Sequence, residues 1–268
     1  MKALLTRLLS SRGVEHVGFL HAEDLRVIQP HLMPENIRSA AVWLIPYYTG
    51  PHPERNVSLY SVGKDYHLFS RKLGSELADA LSGTYPDERF YPFCDSSPID
   101  EIDAAARAGL GVLGRNRLLI HPVYGSYVFI GALLTTACFA HSAPKKPGSC
   151  LGCGKCLTAC DFLAGKTEIC ASELNQRKAL TPDELAAVRS RRIRWGCDIC
   201  QEVCPMNRDV PLTPIPFFYE EQLETVTPER LEAMGKSEFR QRAYAWRGKK
   251  TILRNVSDQE TDAVGTDK

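Results

Sequence analysis

The sequence predicts an α/β (α+β) fold over its first half, joined to a cysteine-rich module and a short helical end. Three observations carry that expectation. Apolar runs of strand length alternate with stretches of helical periodicity through residues 1–145. Eight of the ten cysteines then fall between Cys150 and Cys204. Beyond a proline-rich connector at residues 211–216, the pattern is helical and polar. The division that follows is residues 1–145, 146–210 and 211–256, with residues 257–268 a polar, disordered tail.

In the first part, residues 2–11 place Leu4, Leu5, Leu8 and Leu9 at helical spacing, and Gly13 is available to end that helix. Residues 14–20 read as a strand, and residues 40–48 are continuously apolar, as in a strand buried on both faces. A short helix fits between them. Residues 49–56, with Gly50, two prolines and charges, read as a surface loop. In residues 65–81, Phe69, Leu73, Leu77 and Leu81 form one apolar stripe and predict a helix. A strand over 89–94 delivers the chain to Asp95-Ser96-Ser97-Pro98, where Asp95 reads as a cap for a helix starting near Pro98.

That helix ends near Gly109. Residues 109–116 contain G-x-G-x-x-G in letters, but the run follows a helix rather than a strand, which excludes the dinucleotide fingerprint. Residues 118–120 and 127–136 are expected to pair as a hairpin across 122–126, and residues 143–148 read as a linker.

The cysteine module opens as Cys150-x2-Cys153-x2-Cys156-x3-Cys160 and closes as Cys197-x2-Cys200-x3-Cys204-Pro205. The first run has bacterial ferredoxin spacing, in which three thiolates hold three corners of a 4Fe-4S cube and the fourth reaches the other cluster. This crossed logic assigns Cys150, Cys153, Cys156 and Cys204 to one cube. Cys160, Cys170, Cys197 and Cys200 then hold the second. Structural zinc prefers separated pairs, four thiolates per ion, and a tight triplet does not suit it. Asp161 stands where such runs commonly carry proline, a residue that shapes a turn and ligates nothing. Between the runs, Thr181-Pro182-Asp183-Glu184 is a capping box, and helices are expected at 227–234 and 236–250. Cys94 and Cys138 have no cluster partner and read as buried apolar thiols.

A formal charge of +1 and 44% hydrophobic residues exclude an overall field that would recruit nucleic acid. Arg7 and Arg12 interrupt the first apolar stretch, so an export signal is not expected, and residues 127–140 are too short to span a bilayer. A cytoplasmic protein is the expectation, with no membrane partner.

Several stretches together resemble the cobalamin-dependent epoxyqueuosine reductases. They are Gly63-Lys64-Asp65-Tyr66-His67, Asp95-Ser96-Ser97-Pro98 with Glu101, Ala108-Gly109-Leu110-Gly111 with Gly114-Arg115-Asn116, the run from Gly125 to Gly131, both cysteine runs, and Arg247-Gly248-Lys249-Lys250. The resemblance implies a cobalamin-binding catalytic domain over residues 1–145 and two 4Fe-4S clusters fed by an external low-potential electron donor. It implies reduction of the epoxide of epoxyqueuosine in tRNA, as part of queuosine biosynthesis. By position Asp95 becomes the proton donor, and Tyr66, His67, Asp95, Arg115 and Asn116 become cofactor contacts.

The chain also departs from that pattern. Longer members continue into a helical repeat domain that helps hold tRNA, the Cys160 to Cys170 spacing is shorter than usual, and Ala132 replaces a common acidic residue. For RNA there remain residues 189–194 and the set Arg240, Arg242, Arg247, Lys249, Lys250 and Arg254, with Tyr244 and Trp246 among them; a solvated helix face would look the same. Two alternatives stay open: the same cofactors acting on a small epoxide or organohalide, and a non-catalytic 4Fe-4S electron carrier. The sequence leaves the oligomeric state undetermined.

Overall fold

The computed structural model describes residues 1–139 and 144–257. Helix α1 (Lys2–Ser10) ends where expected, the Val14 N–H turning back to the Leu9 carbonyl at 3.1 Å. Strands β1 (Val17–His21) and β2 (Ser39–Pro46) follow, the first beginning later than its apolar run because Val14 is spent closing the helix. Short 3-10 turns occupy the segment between them. Every residue of β2 is buried, as its unbroken apolar run requires. Asp65 caps α2 (Tyr66–Thr84), accepting the His67 N–H, and β3 (Phe90–Cys94) leads to α3 (Glu101–Arg107). Next come β4 (Val112–Leu113), β5 (Leu119–Ile120), β6 (Val128–Thr135) and β7 (Gly148–Ser149).

The main sheet runs β1-β2-β6-β3, antiparallel throughout. Alternate residues of β2 supply two cores, as period-two geometry dictates. Ala41, Trp43 and Ile45 pack with Leu5, Leu9, Leu73 and Leu77 of α1 and α2. Ala40, Val42 and Leu44 pack on the other face with Ala104, Ala105 and Ala106 of α3. Trp43 lies opposite Gly131 in register, and a Cβ at 131 would sit 2.5 Å from the indole ring. The sheet therefore admits only glycine there.

Four expectations are corrected. Residues 118–120 pair with β4 rather than with residues 127–136, because the turn at 114–117 closes first: the Gly114 N–H reaches the Leu118 carbonyl at 2.9 Å and Arg117 adopts φ 65°. Strand β6 is thereby free for the main sheet. The helix after Asp95 starts at Glu101 and is capped by Asp100, whose carboxylate accepts the Asp103 N–H. Asp95 is thus not a cap. Residues 49–56 are not a loose surface loop, since His52 and Arg55 are buried. Residues 236–250 break into a short helix (Lys236–Arg240) and a 3-10 turn before Gly248, at φ 85°, starts a new helix.

The cysteine module is carried on α4 (Lys155–Ala159), α5 (Ala171–Asn175), α6 (Pro182–Arg189) and α7 (Ile199–Glu202), with the capping box at Thr181 and Glu184 formed as the sequence implies. Residues 144–149 are tied down rather than free: the Lys145 N–H bonds the Arg107 carbonyl, and β7 pairs parallel with β4. Ala143 and residues 258–268 lie outside the described residues. Helices α8 (Pro228–Ala233), α9 (Lys236–Arg240) and α10 (Lys249–Val256) close a third core with Val57, Val62 and Trp195. Among the described residues, no helix is long and apolar enough to cross a membrane.

The module is held to the sheet by a buried polar seam. Arg55 Nη2 lies 3.2 Å from Asp198 Oδ2, with the two side chains 4% and 0% exposed. Asp198 also accepts from Ser58 and from the Leu59 N–H. Next to it, Ser126 and Tyr47 donate to Gln201, and Asn207 exchanges hydrogen bonds with Ser126. Removing one partner of such a pair strands the other charge away from water. Arg55→Ala is expected to lower stability by about 3 kcal/mol, read as a shifted midpoint in urea unfolding; a native midpoint would show that the seam does not hold the module.

Candidate active site and cysteine centres

The structure brings the eight cysteines together in two groups. Cys150, Cys153, Cys156 and Cys204 wall one small cavity, with Arg115 and Asn116 beside them. Electrostatically, the Cys156 thiol senses Cys150 and Cys204, whereas Cys200 senses Cys197, Cys160 and Cys170. Helices α4 and α7, one from each run, pack on each other and interleave the two sets. All ten cysteines are free thiols. Among the described residues, no three His, Cys, Asp or Glu side chains form a group that could hold a single metal ion.

Burial pushes the Cys197 thiol up to about 11 and Cys200 to about 12, the latter also through the charge of Cys197. Burial also acts to raise Cys150, but backbone N–H groups and the Arg115 charge outweigh it and hold that thiol below its ordinary value. The first group is the more open, with Cys153 and Leu151 exposed.

The remaining candidate residues gather where β3 ends. Asp95 adopts φ 64°, the left-handed region that a non-glycine residue enters at a cost. Its carboxylate accepts from the Tyr66 hydroxyl and lies 3.3 Å from His67 Nε2. The other ring nitrogen of His67 is 2.8 Å from Asp65, so the imidazole is suspended between two carboxylates. The Tyr66 ring stacks on Phe129 at 3.8 Å and on His67 at 4.2 Å, which fixes both rings. The Asp95 side chain remains 53% exposed on its outer side.

These contacts set the charges. Hydrogen bonds to Asp65 and then Asp95 raise His67 to about 9, so it is an imidazolium at neutral pH. Burial acts to raise Asp95, but the hydrogen bonds from His67 and Tyr66 and the imidazolium charge outweigh it, holding the carboxyl below its usual range. Burial, then the charge of Asp95, raises Glu101 to about 8 and leaves it protonated at neutral pH. The Glu101 carboxyl also accepts the Asp95 N–H at 3.3 Å. An ionised carboxylate thus stands between two proton-bearing groups.

Asp95 and Phe129 border two clefts. One, of about 430 Å³, has an apolar lining that includes Ile99, Ile102, Leu119, Val128 and Ile130. The other, of about 480 Å³, is more polar and bounded by Tyr66, His67, Arg71 and Trp246.

Arg115 and Asn116 are placed with the first thiol group rather than against Asp95; Asn116 Nδ2 is buried without a hydrogen-bond partner. Sequence reasoning missed Asp65, because an aspartate at a helix start already has a sufficient role as a cap. It also gave Glu101 no role of its own, although Glu101 lies three residues past Pro98 in the quoted motif. Cys138 is exposed, not buried; Cys94 is half-buried, its thiol pushed up to about 12 by burial and then by Asp95.

The basic stretches are mostly structural. Arg189 donates to the Arg254 carbonyl, Arg254 to the carbonyls of Arg177 and Lys178, Lys249 to those of Leu231 and Met234, and buried Arg242 to that of Glu221. Tyr244 is buried as well.

No protein-family model matches the chain. The epoxyqueuosine reductase of Lactococcus garvieae is 30% identical over 277 residues, covering 94% of this chain and 77% of that protein. That of Listeria monocytogenes is 35% identical over 214 residues, covering 73% of this chain and 54% of its own length. The chain therefore spans between about half and three quarters of these relatives. Among solved structures, an epoxyqueuosine reductase with a tRNA-Tyr epoxyqueuosine-modified stem loop superposes with a TM-score of 0.80 at 27% identity, covering 95% of this chain and 79% of that one. The Bacillus subtilis enzyme, in a form with its catalytic aspartate loop swung out of the active site, superposes with a TM-score of 0.79 at 26% identity and the same coverage. With a relative 30% identical over 94% of its length, the chain belongs to the epoxyqueuosine reductase family of oxidoreductases.

Proposed function

We propose that this chain reduces the epoxide of epoxyqueuosine in tRNA to the alkene of queuosine, with Asp95 delivering a proton to the departing oxygen. The observation that carries this reading is Asp95 itself, released from helix capping and hydrogen-bonded to Tyr66 and His67 at the junction of the two clefts. Support comes from the related enzyme solved with an epoxyqueuosine-modified stem loop, and from the one whose catalytic aspartate lies on a mobile loop. The overall reaction consumes two electrons and two protons, breaks two C–O bonds, forms one C=C bond and releases the oxygen as water.

Two 4Fe-4S clusters and a cobalamin would supply the electrons, drawn from an external low-potential donor. Cys150, Cys153, Cys156 and Cys204 would hold one cluster, and Cys160, Cys170, Cys197 and Cys200 the other. The apolar cleft beside Asp95 would seat the corrin. Arg115 and Asn116, beside the first thiol group, would support the cluster side of the site. The residues of this chain manage the protons. Substrate filling the open side of Asp95 removes water from it and raises its pKa, so it can take the His67 proton and pass it on. Asp65 keeps the imidazole charged and oriented, and Glu101, at the start of α3, holds a second proton beside Asp95.

Asp95→Asn is expected to leave iron content and cobalamin binding intact while lowering turnover by about a hundredfold or more; undiminished turnover would remove Asp95 from the chemistry. His67 has its folded-state pKa raised, so its proton is present below about 9 and lost above it. Turnover should fall as pH rises through that value, and His67→Gln should abolish this limb of the profile. Cys160→Ser and Cys204→Ser should each perturb a different cluster in the electron paramagnetic resonance spectrum; the same cluster perturbed by both would contradict the crossed assignment.

A further inference from the structure

We propose that Trp246 and Arg71 form a docking edge for single-stranded RNA at the mouth of the Asp95 cleft, the indole stacking on a nucleobase beside the reacting nucleotide and the guanidinium meeting a backbone phosphate. The inference rests on the reading of tRNA as substrate and assigns which side chains of this chain hold the loop in place.

Trp246 is 61% exposed, while its aromatic neighbours Tyr244 and Trp195 are 1% and 0% exposed. An indole left outside an available core has a large apolar surface that the described residues leave mostly uncovered. It is also held firmly. The 3-10 turn Ala245–Arg247 is pinned by the Ala245 N–H to the Arg242 carbonyl and the Gly248 N–H to the Ala245 carbonyl, each 2.9 Å. Arg242 beneath it is buried and bonded to Glu221. The Arg247 guanidinium lies 4.1 Å from the centre of the indole ring and occupies one face. With 61% of its surface exposed, the indole still has area left for a flat partner.

Arg71 lines the same cleft as Trp246, Tyr66, His67 and Asp95. It is exposed, and among the described residues it has no hydrogen-bond or ion-pair partner. Four cations of the stretches that looked basic in sequence differ from it, since Arg189, Arg242, Lys249 and Arg254 are engaged by backbone carbonyls. An unpaired cation and an uncovered aromatic face on one cleft mouth are the two elements that single-stranded nucleic acid requires. A duplex offers no free base face to such a platform, so the contact selects nucleotides splayed from a loop.

The test measures binding of a fluorescent RNA stem loop, carrying the modified nucleoside in its loop, to anaerobically reconstituted protein across a range of salt concentrations. Trp246→Ala should weaken binding on the order of tenfold with no change in salt dependence, and Trp246→Phe should restore affinity to within about threefold of native. Arg71→Gln should make the slope of log affinity against log salt shallower by about 0.7. Native affinity in Trp246→Ala overturns the stacking contact, and an unchanged slope in Arg71→Gln overturns the phosphate contact, the substrate reading standing in both cases. Failure of the native protein to bind the stem loop overturns that reading together with this one.

Discussion

The buried seam around Asp198 is the constraint on which the rest of the structure depends. Asp198 lies between Cys197 and Cys200, so whatever fixes its position fixes two thiols of the second group at the same time. It is fixed by Arg55, Ser58 and the Leu59 backbone, all from the segment after β2, while Gln201 and Asn207 of the same stretch are bonded to Tyr47 and Ser126. Every one of those partners belongs to the domain that carries Asp95. A buried network of this kind is costly to break, and here it joins the cysteine module to the sheet that leads to Asp95. The distance between the cysteine groups and Asp95 is thereby set by packed side chains rather than by a linker.

The second organising feature is the distribution of charge around Asp95. Three acidic groups, Asp65, Asp95 and Glu101, share a small volume with one imidazole and one phenol. Burial, then the charge of Asp95, leaves Glu101 protonated, and His67 is placed where it serves the other two. Stacking of Tyr66 between Phe129 and His67 means that this arrangement rests on ring packing as much as on hydrogen bonds. The open outer side of Asp95 is then the one place where an arriving molecule can alter the balance.

Much of this was legible in the sequence, and what was not had a physical reason. The continuous apolar run of β2, the stripe of α2 and the capping box of α6 are local signals, and each led to its element. The pairing of residues 118–120 was misread because two turn signals compete, at 114–117 and 122–126, and only the tertiary destination of β6 decides between them. Asp95 reads as a cap until Asp100 is seen to do that work. The same ambiguity, in reverse, concealed Asp65, a true cap that also holds a catalytic candidate. Cationic composition near the end of the chain could not reveal that most of those side chains serve buried carbonyls. The cysteine spacing needed no tertiary information, since it is a property of the turns between neighbouring thiols.

The order of strands in the main sheet has a consequence for how the protein is made. Its longest pairing, β2 with β6, joins segments some ninety residues apart, and all four strands have been translated by Thr135, before the ribosome reaches Cys150. Amino-terminal units commonly fold first during synthesis. The sheet, with β4 ready to receive β7, can therefore be paired when the first of the eight clustered cysteines emerges, so that the module folds against a surface already in place.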